Sequence, residues 1–281
     1  MAFGNAKRIL RCTSGLSALK LLALTGQYSR PGLAPVLKLL LRPFDRDGAI
    51  SIRYRVGARY LQVLIRDGDQ NSDLHSVLEV ITREVYPLDP AFDADVVVDG
   101  GANIGLFTLQ AAAVYPKATI LMCEPLPRNV AQLKAHAALN GIAAEVFPVC
   151  MGGTHGVIPF YSRHANASSF DGSEAYESVL QIEVLRLGEI LGDRPWQRLL
   201  LKLDIEGLEI DVLRDFVPGE TRAVIVMGEL HHHGTTRPML EALCAEHGWA
   251  LRFGDFSGRD VIFEARSPAA QALGLPEREL Y

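Results

Sequence analysis

Residues VVVDGGANIG, Val96 to Gly105, decide the fold. Three β-branched residues run into a carboxylate and a glycine pair, and a helical pattern, Leu106–Ala113, follows at once. Gly101 and Gly105 remove side chains where backbone must approach a ligand and where the helix must pack on the strand. Asn103 stands where glycine is common, and asparagine tolerates left-handed backbone angles better than most residues. The helix that begins here directs free N–H groups at the loop. A glycine loop alone is weak evidence. Set between a strand and a helix, with Glu124 ending the next strand, it is strong.

Working outward, strand-then-helix units repeat. Asp95–Val98 is the first strand and Ala118–Cys123 the second. The second is followed by a helix with Pro127 in its first turn and Asn140-Gly141 at its end. Glu145–Val149 is a third strand. A long connection carrying Asn166, Ser168 and Ser169 leads to the fourth, Leu199–Leu203, and its helix, Leu208–Phe216. Ala223–Met227 is a fifth, with a helix over Met239–His247. Such alternation predicts an α/β fold with a mostly parallel sheet covered on both faces. The end breaks the rule: Ala250–Phe253 and Asp260–Ala265 are separated only by Gly254–Arg259, too short for a helical crossover, so that pair is expected to be antiparallel.

Before the sheet lies an N-terminal α+β extension. Residues up to Arg42 read as helical, Ala49–Tyr54 and Arg59–Ile65 as a β-hairpin about Gly57, and Leu74–Tyr86 as a helix. The extension could cap the substrate site or cover a sheet edge. The expected division is residues 1–90 for the extension, 91–267 for the ligand-binding domain and 268–281 for a tail. The basic start MAFGNAKRIL and the stretch Leu16–Leu24 imitate a signal peptide, but Lys20 interrupts the apolar part and no A-x-A site follows. No membrane span is expected. A formal charge of −5 argues against a nucleic-acid partner. The scattered cysteines, Cys12, Cys123, Cys150 and Cys244, fit a reducing, cytoplasmic setting and no zinc site.

Glu124 is placed to accept hydrogen bonds from both ribose hydroxyls of an adenosine, as either NAD or S-adenosylmethionine would require. Asp99 separates the two. A carboxylate ending the first strand repels a pyrophosphate and suits a cation bearing an ammonium and a sulfonium. An NAD-dependent oxidoreductase is therefore the weaker alternative, and a non-catalytic methyltransferase-like partner subunit is a second.

Three segments in order, DGGANIGLFTLQAA, MCEPLPRNVAQLKAHAALNG and LLLKLDIEGLEIDVL, resemble the FkbM family of methyltransferases. The last is similar to the family pattern K-I-D-[VI]-E-G-x-E at Lys202–Glu209, with Leu203 for isoleucine. HANASSF and GELHHHG are weaker likenesses; Gly188, in place of an aspartate, and Met151-Gly152, in place of Leu-Gly, are departures. The resemblance implies a Rossmann-like methyltransferase fold, S-adenosyl-L-methionine as cofactor, and O-methylation of a small-molecule or glycan hydroxyl. The expected cofactor residues are Asp99, Gly100, Gly101, Asn103, Gly105, Glu124, Pro125, Cys150, Met151 and Asp204.

A hydroxyl is a poor nucleophile until a base accepts its proton. Candidates stand at the carboxyl ends of the fourth and fifth strands: Asp204, Glu206, Glu229 and His231. His231, assisted by Asp204 or Glu206, is one expected base, because imidazole titrates near neutrality; one of the carboxylates in its place, with His231 as a loop residue, is the other. Glu209 reads as a first-turn acid and His232 and His233 as polar loop residues. No metal is assigned. A divalent ion on Asp204, Glu206 and Glu229 stays open, since oxygen-rich sites need geometry that sequence does not display.

Overall fold

The computed structural model describes residues 45–46, 49–66, 70–162, 178–257 and 260–280. The expectations for residues up to Arg42 and for Asn166, Ser168 and Ser169 lie outside these.

Strands β1 (Asp45–Arg46), β2 (Ala49–Val56) and β3 (Arg59–Arg66) form an antiparallel sheet. Helix α1 (Gln70–Ser76) runs into a π-helical turn, Val77–Arg83, which stops where Glu84 adopts φ 53°. The expected helix is thus present but ends before Tyr86. Next come β4 (Val96–Gly100), α2 (Leu106–Val114), β5 (Thr119–Cys123), α3 (Pro127–Leu139) and β6 (Glu145–Phe147). After an interlude come β10 (Arg198–Leu203), α5 (Glu209–Asp215), β11 (Ala223–Leu230), α6 (His233–Glu246), β12 (Ala250–Ser257), β13 (Asp260–Arg266) and α7 (Pro268–Gln271). The interlude itself holds β7 (Cys150–Met151), β8 (Gly156–Ser162), β9 (Ser178–Leu185) and α4 (Leu187–Leu191), a small sheet in the order β7-β9-β8.

The main sheet has seven strands in the order β12-β13-β11-β10-β4-β5-β6. Neighbours from β11 to β6 are parallel, whereas β13 is antiparallel to both β11 and β12, as the short connection requires. This is a Rossmann-like methyltransferase fold. Burial explains why the strands read as continuous apolar runs: Val96 and Val98 face one core with Leu199 and Leu201, while Val97 and Leu200 face the other. Each such side chain contributes about 1.5–3 kcal/mol relative to exposure. The strand order reverses between β4 and β10, and their carboxyl ends meet in register at Gly100 and Leu203. A ligand crevice is expected at that switch point.

The hairpin packs through Ile52, Val63 and Ile65 against Val77, Leu106 and Leu109, so it shares a core with α2. Its outer edge is covered by side chains rather than a strand. From α3, Asn140 Oδ1 accepts from Gln62 N at 2.7 Å and its Nδ2 donates to Gln62 O at 2.8 Å. One turn back, buried His136 Nε2 accepts from Leu64 N at 2.9 Å, and Gln132 donates to Leu64 O. Residues four apart stand above one another on a helix, which matches them to alternate residues of a strand. Because Nε2 accepts, Nδ1 carries the proton and donates to Ile104 O at 2.7 Å, tying the hairpin to the glycine loop. Among the described residues, no helix is long and apolar enough to cross a membrane.

Candidate active site

The loop after β4 is shaped by backbone contacts. Gly101 has φ 70°, and a Cβ there would collide with the Asp204 carbonyl oxygen. Asn103 adopts φ 50°, the left-handed angle anticipated for it. Its N–H donates to Glu124 Oε2 at 2.8 Å, while Glu124 Oε1 accepts from Leu126 N at 2.9 Å. Burial raises the Glu124 carboxyl above its ordinary range; those two N–H donors, the Asn129 amide and the Lys202 charge oppose the rise without cancelling it. Asn103 Oδ1 is buried without a partner.

Beneath the loop lies a buried ion cluster. Lys202, 3% exposed, donates from Nζ to Gly100 O at 3.1 Å and Gly101 O at 2.7 Å. It also pairs with Asp99 at 3.5 Å and Asp204 at 3.4 Å. Burial alone would lower its pKa, but Asp204 and Asp99 raise it, so the ammonium is held charged. Asp99 is wholly buried and accepts from the Thr108 hydroxyl at 2.7 Å. Burial raises its carboxyl despite Lys202 and Thr108. Asp99 was expected to meet a cationic ligand; it instead meets Lys202 within the sheet, because the β4 pleat turns it inward.

At the ends of β10 and β11 four carboxylates gather round one imidazole. The turn after Asp204 puts Glu206 at φ 60° and Gly207 at φ 110°. Glu209, wholly buried, braces that turn: its Oε1 accepts from Ile205 N at 3.2 Å and Gly207 N at 3.1 Å. The same oxygen accepts from His231 Nδ1 at 2.9 Å. His231 Nε2 then faces Glu206 at 3.7 Å and Asp204 at 4.0 Å. Tyr86, from the segment after the π-helical turn, donates to Asp204 Oδ2 at 3.2 Å. Burial works against charge on His231, but Glu209, Asp204 and Glu206 push its pKa up to about 10. An imidazolium at neutral pH has no lone pair to take a proton, so His231 does not fit the role of base. Burial raises Glu206 to about 8 and Glu229 to about 7. Burial would raise Asp204 too, yet Lys202, His231 and the Tyr86 hydroxyl hold its carboxyl below the ordinary range.

A cleft joins these parts. Gly101, Asn103, Glu124, Pro125, Cys150, Met151, Asp204 and Glu206 are among the residues that line it, with Gly101 packed directly on the Asp204 carbonyl. Its volume is about 90 Å³, so a ligand of cofactor size must extend beyond it along the open mouth. Gly100 and Gly105, both expected cofactor residues, are not in its lining. Gly100 packs on Lys202 O inside the sheet, and Gly105 caps α2 against Leu133. Cys150 lines the cleft as a thiol whose pKa burial pushes up to about 12.

The model of the FkbM methyltransferase domain matches residues 99–248, more than half of the chain and all of the site after Tyr86. The chain belongs to the FkbM methyltransferase family. It is 31% identical over 159 residues to Methyltransferase 1 of Beauveria bassiana, covering 48% of this chain and 64% of that protein, just under two thirds of its length. It is 27% identical over 190 residues to the 31-O-demethyl-FK506 methyltransferase FkbM of Streptomyces tacrolimicus, covering 56% of this chain and 73% of the relative. A solved FkbM methyltransferase from Methylobacillus flagellatus aligns at 15% identity and TM-score 0.41, over 86% of this chain and 60% of that one.

Within this member of the FkbM family, three residues of the cluster carried no role in the sequence reading. Tyr86 comes from outside the matched region, and only the fold brings it to Asp204. Lys202 and Glu209 stand in the quoted family pattern, which was the available signal, but as a strand residue and a first-turn acid they carried no assigned role.

Proposed function

We propose that this methyltransferase uses S-adenosylmethionine and methylates a hydroxyl of a sugar or natural product. The observation that carries the reading is the cleft itself, lined by the glycine loop and Glu124 together with Asp204 and Glu206. The fit has a specific mark: the buried, unpartnered Asn103 Oδ1 on that wall suits a ligand donor. When bound, the cofactor supplies a methyl group on a positive sulfonium. Glu124, held by two backbone N–H groups, is placed to accept from the ribose hydroxyls with its remaining lone pairs. Gly101, Asn103, Pro125, Cys150 and Met151 shape the wall against which the cofactor lies. Glu206, on the cleft wall and 3.7 Å from His231, accepts the acceptor's proton in its ionised form, which burial confines to pH values near 8 and above, and Asp204, held ionised, orients the hydroxyl. Asp99 and Lys202 work from below by fixing the loop.

Calorimetric titration with S-adenosylhomocysteine tests this. Wild-type protein should bind it more tightly than NAD, and Glu124→Gln should weaken it by about 1–3 kcal/mol, as for hydrogen bonds to a charged group. The ionised carboxylate is the acceptor, and burial raises its pKa. Wild-type affinity should therefore fall with decreasing pH before the ordinary carboxylate range is reached, and Glu124→Gln should lack that fall. Tighter binding of NAD, or a Glu124→Gln variant with wild-type affinity, would overturn the reading.

A further inference from the structure

Register sets Leu203 of β10 beside Gly228 of β11, so the residues just beyond meet over one edge. One ligand atom each from Asp204, Glu229 and His231 lies within 4.8 Å of the others. Atoms bound about 2.1–2.3 Å from a common centre stand roughly 3–4.5 Å apart, so small rotations close the set.

Three further features suit this set to a cation. Asp204, Glu206 and Glu209 crowd round the one His231 imidazole, and the nearby Lys202 is shared between Asp204 and Asp99. His231 Nδ1 is tied to the wholly buried Glu209, whose second oxygen has no partner, and this outer carboxylate leaves Nε2 directed at the cluster. Metal-binding histidines are oriented in this way. The Glu229 carboxylate makes neither a hydrogen bond nor an ion pair with any described residue, although it stands within reach of Asp204 and His231.

We propose that Asp204, Glu229 and His231 bind one divalent cation of the Mg²⁺ or Mn²⁺ class. The ion replaces the proton on His231 Nε2 and offsets the carboxylate excess. Mixed carboxylate and imidazole donors suit Mn²⁺ and, with water completing the sphere, Mg²⁺. Three protein ligands leave positions for oxygen atoms of an acceptor, which would hold and polarise its hydroxyl next to Glu206. That last role rests on the proposed O-methylation; binding of the ion does not.

The test is a titration of the full chain with Mn²⁺, following free Mn²⁺ by its electron paramagnetic resonance signal, without cofactor. One ion per chain is expected, with Glu229→Gln and His231→Ala each weakening it by about tenfold or more. The surface variant Asp211→Asn should bind as wild type. Glu229→Gln is nearly isosteric and keeps the result interpretable if His231→Ala unfolds. No binding below about 1 mM, the weak limit for such sites, would overturn the proposal, as would undiminished binding by Glu229→Gln. Mn²⁺ binding that survives while S-adenosylhomocysteine fails to bind would sink the cofactor reading and leave the metal site standing.

Discussion

Replacing Lys202 with methionine tests whether the buried ion cluster holds the site together. The side chain is 3% exposed and its ammonium meets Gly100 O, Gly101 O, Asp99 and Asp204 within 3.5 Å. Methionine fills much of the same volume, so the packing loss is small. The electrostatic loss is not. Asp99 stays wholly buried with one oxygen on Thr108 and the other without a hydrogen bond. Breaking a buried pair from one side costs about 3–5 kcal/mol, because the remaining charge is uncompensated. With a urea dependence of about 2–3 kcal/mol per molar, the midpoint should drop by about 1–2.5 M. Trp196 and Trp249, both packed on one core, report the transition by fluorescence. Adding Asp99→Asn removes the stranded charge and keeps an acceptor for Thr108, so the double variant should regain about half the loss or more. It should still bind S-adenosylhomocysteine poorly, since the two loop carbonyls stay without Nζ. A single variant within about 1 kcal/mol of wild type, or a double variant no better than the single, would refute this account.

Two other substitutions probe the frame around the cleft. Gly101→Ala forces φ 70° on a residue with a Cβ and drives that atom into the Asp204 carbonyl, so a loss of about 3 kcal/mol is expected in thermal unfolding; wild-type stability would show that the loop can yield. His136→Ala strands the Leu64 N–H and the Ile104 carbonyl, which should cost about 2–4 kcal/mol and speed amide exchange along β3, and unchanged exchange there would defeat the coupling. Burial lowers the His136 pKa below 6.5, so its neutral form contributes stability above about pH 6.5 that is lost as pH falls further. The variant should lack that part of the acid dependence.

The main sheet was legible because parallel strands buried on both faces are nearly continuous apolar runs, and Val96–Val98, Ala223–Met227 and, apart from Lys202, Leu199–Leu203 are. The terminal hairpin followed from chain length alone: six residues cannot hold a crossover helix. The small sheet between β6 and β10 was missed, although Val179–Leu185 alternates in the manner of a half-buried strand. Its partner β8 contains Pro159, which argues against a strand unless the strand lies at an edge, and β8 is the edge. The polar ladder from α3 was illegible for a different reason. Asn140 looks like a helix stop and His136 like a last-turn cation, and nothing local says that both face a strand more than seventy residues earlier.

The site divides along the same line. Residues that position at a strand end singles out, such as Glu124, Asp204 and Glu206, line the cleft; residues whose contacts depend on a partner from another element were not singled out. Glu209 shows why. As a first-turn acid of α5 it needs no further explanation. Yet it is wholly buried, and a buried carboxylate persists only where donors surround it. Two donors are the backbone N–H groups of its own turn, and they force the left-handed angles at Glu206 and Gly207. The third, His231 Nδ1, arrives only because β11 lies beside β10 in register. Glu209 therefore links the turn that presents Asp204 and Glu206 to the strand that presents Glu229 and His231. A change there would move both halves of the cluster together, and with them the part of the cleft wall that Asp204 and Glu206 form.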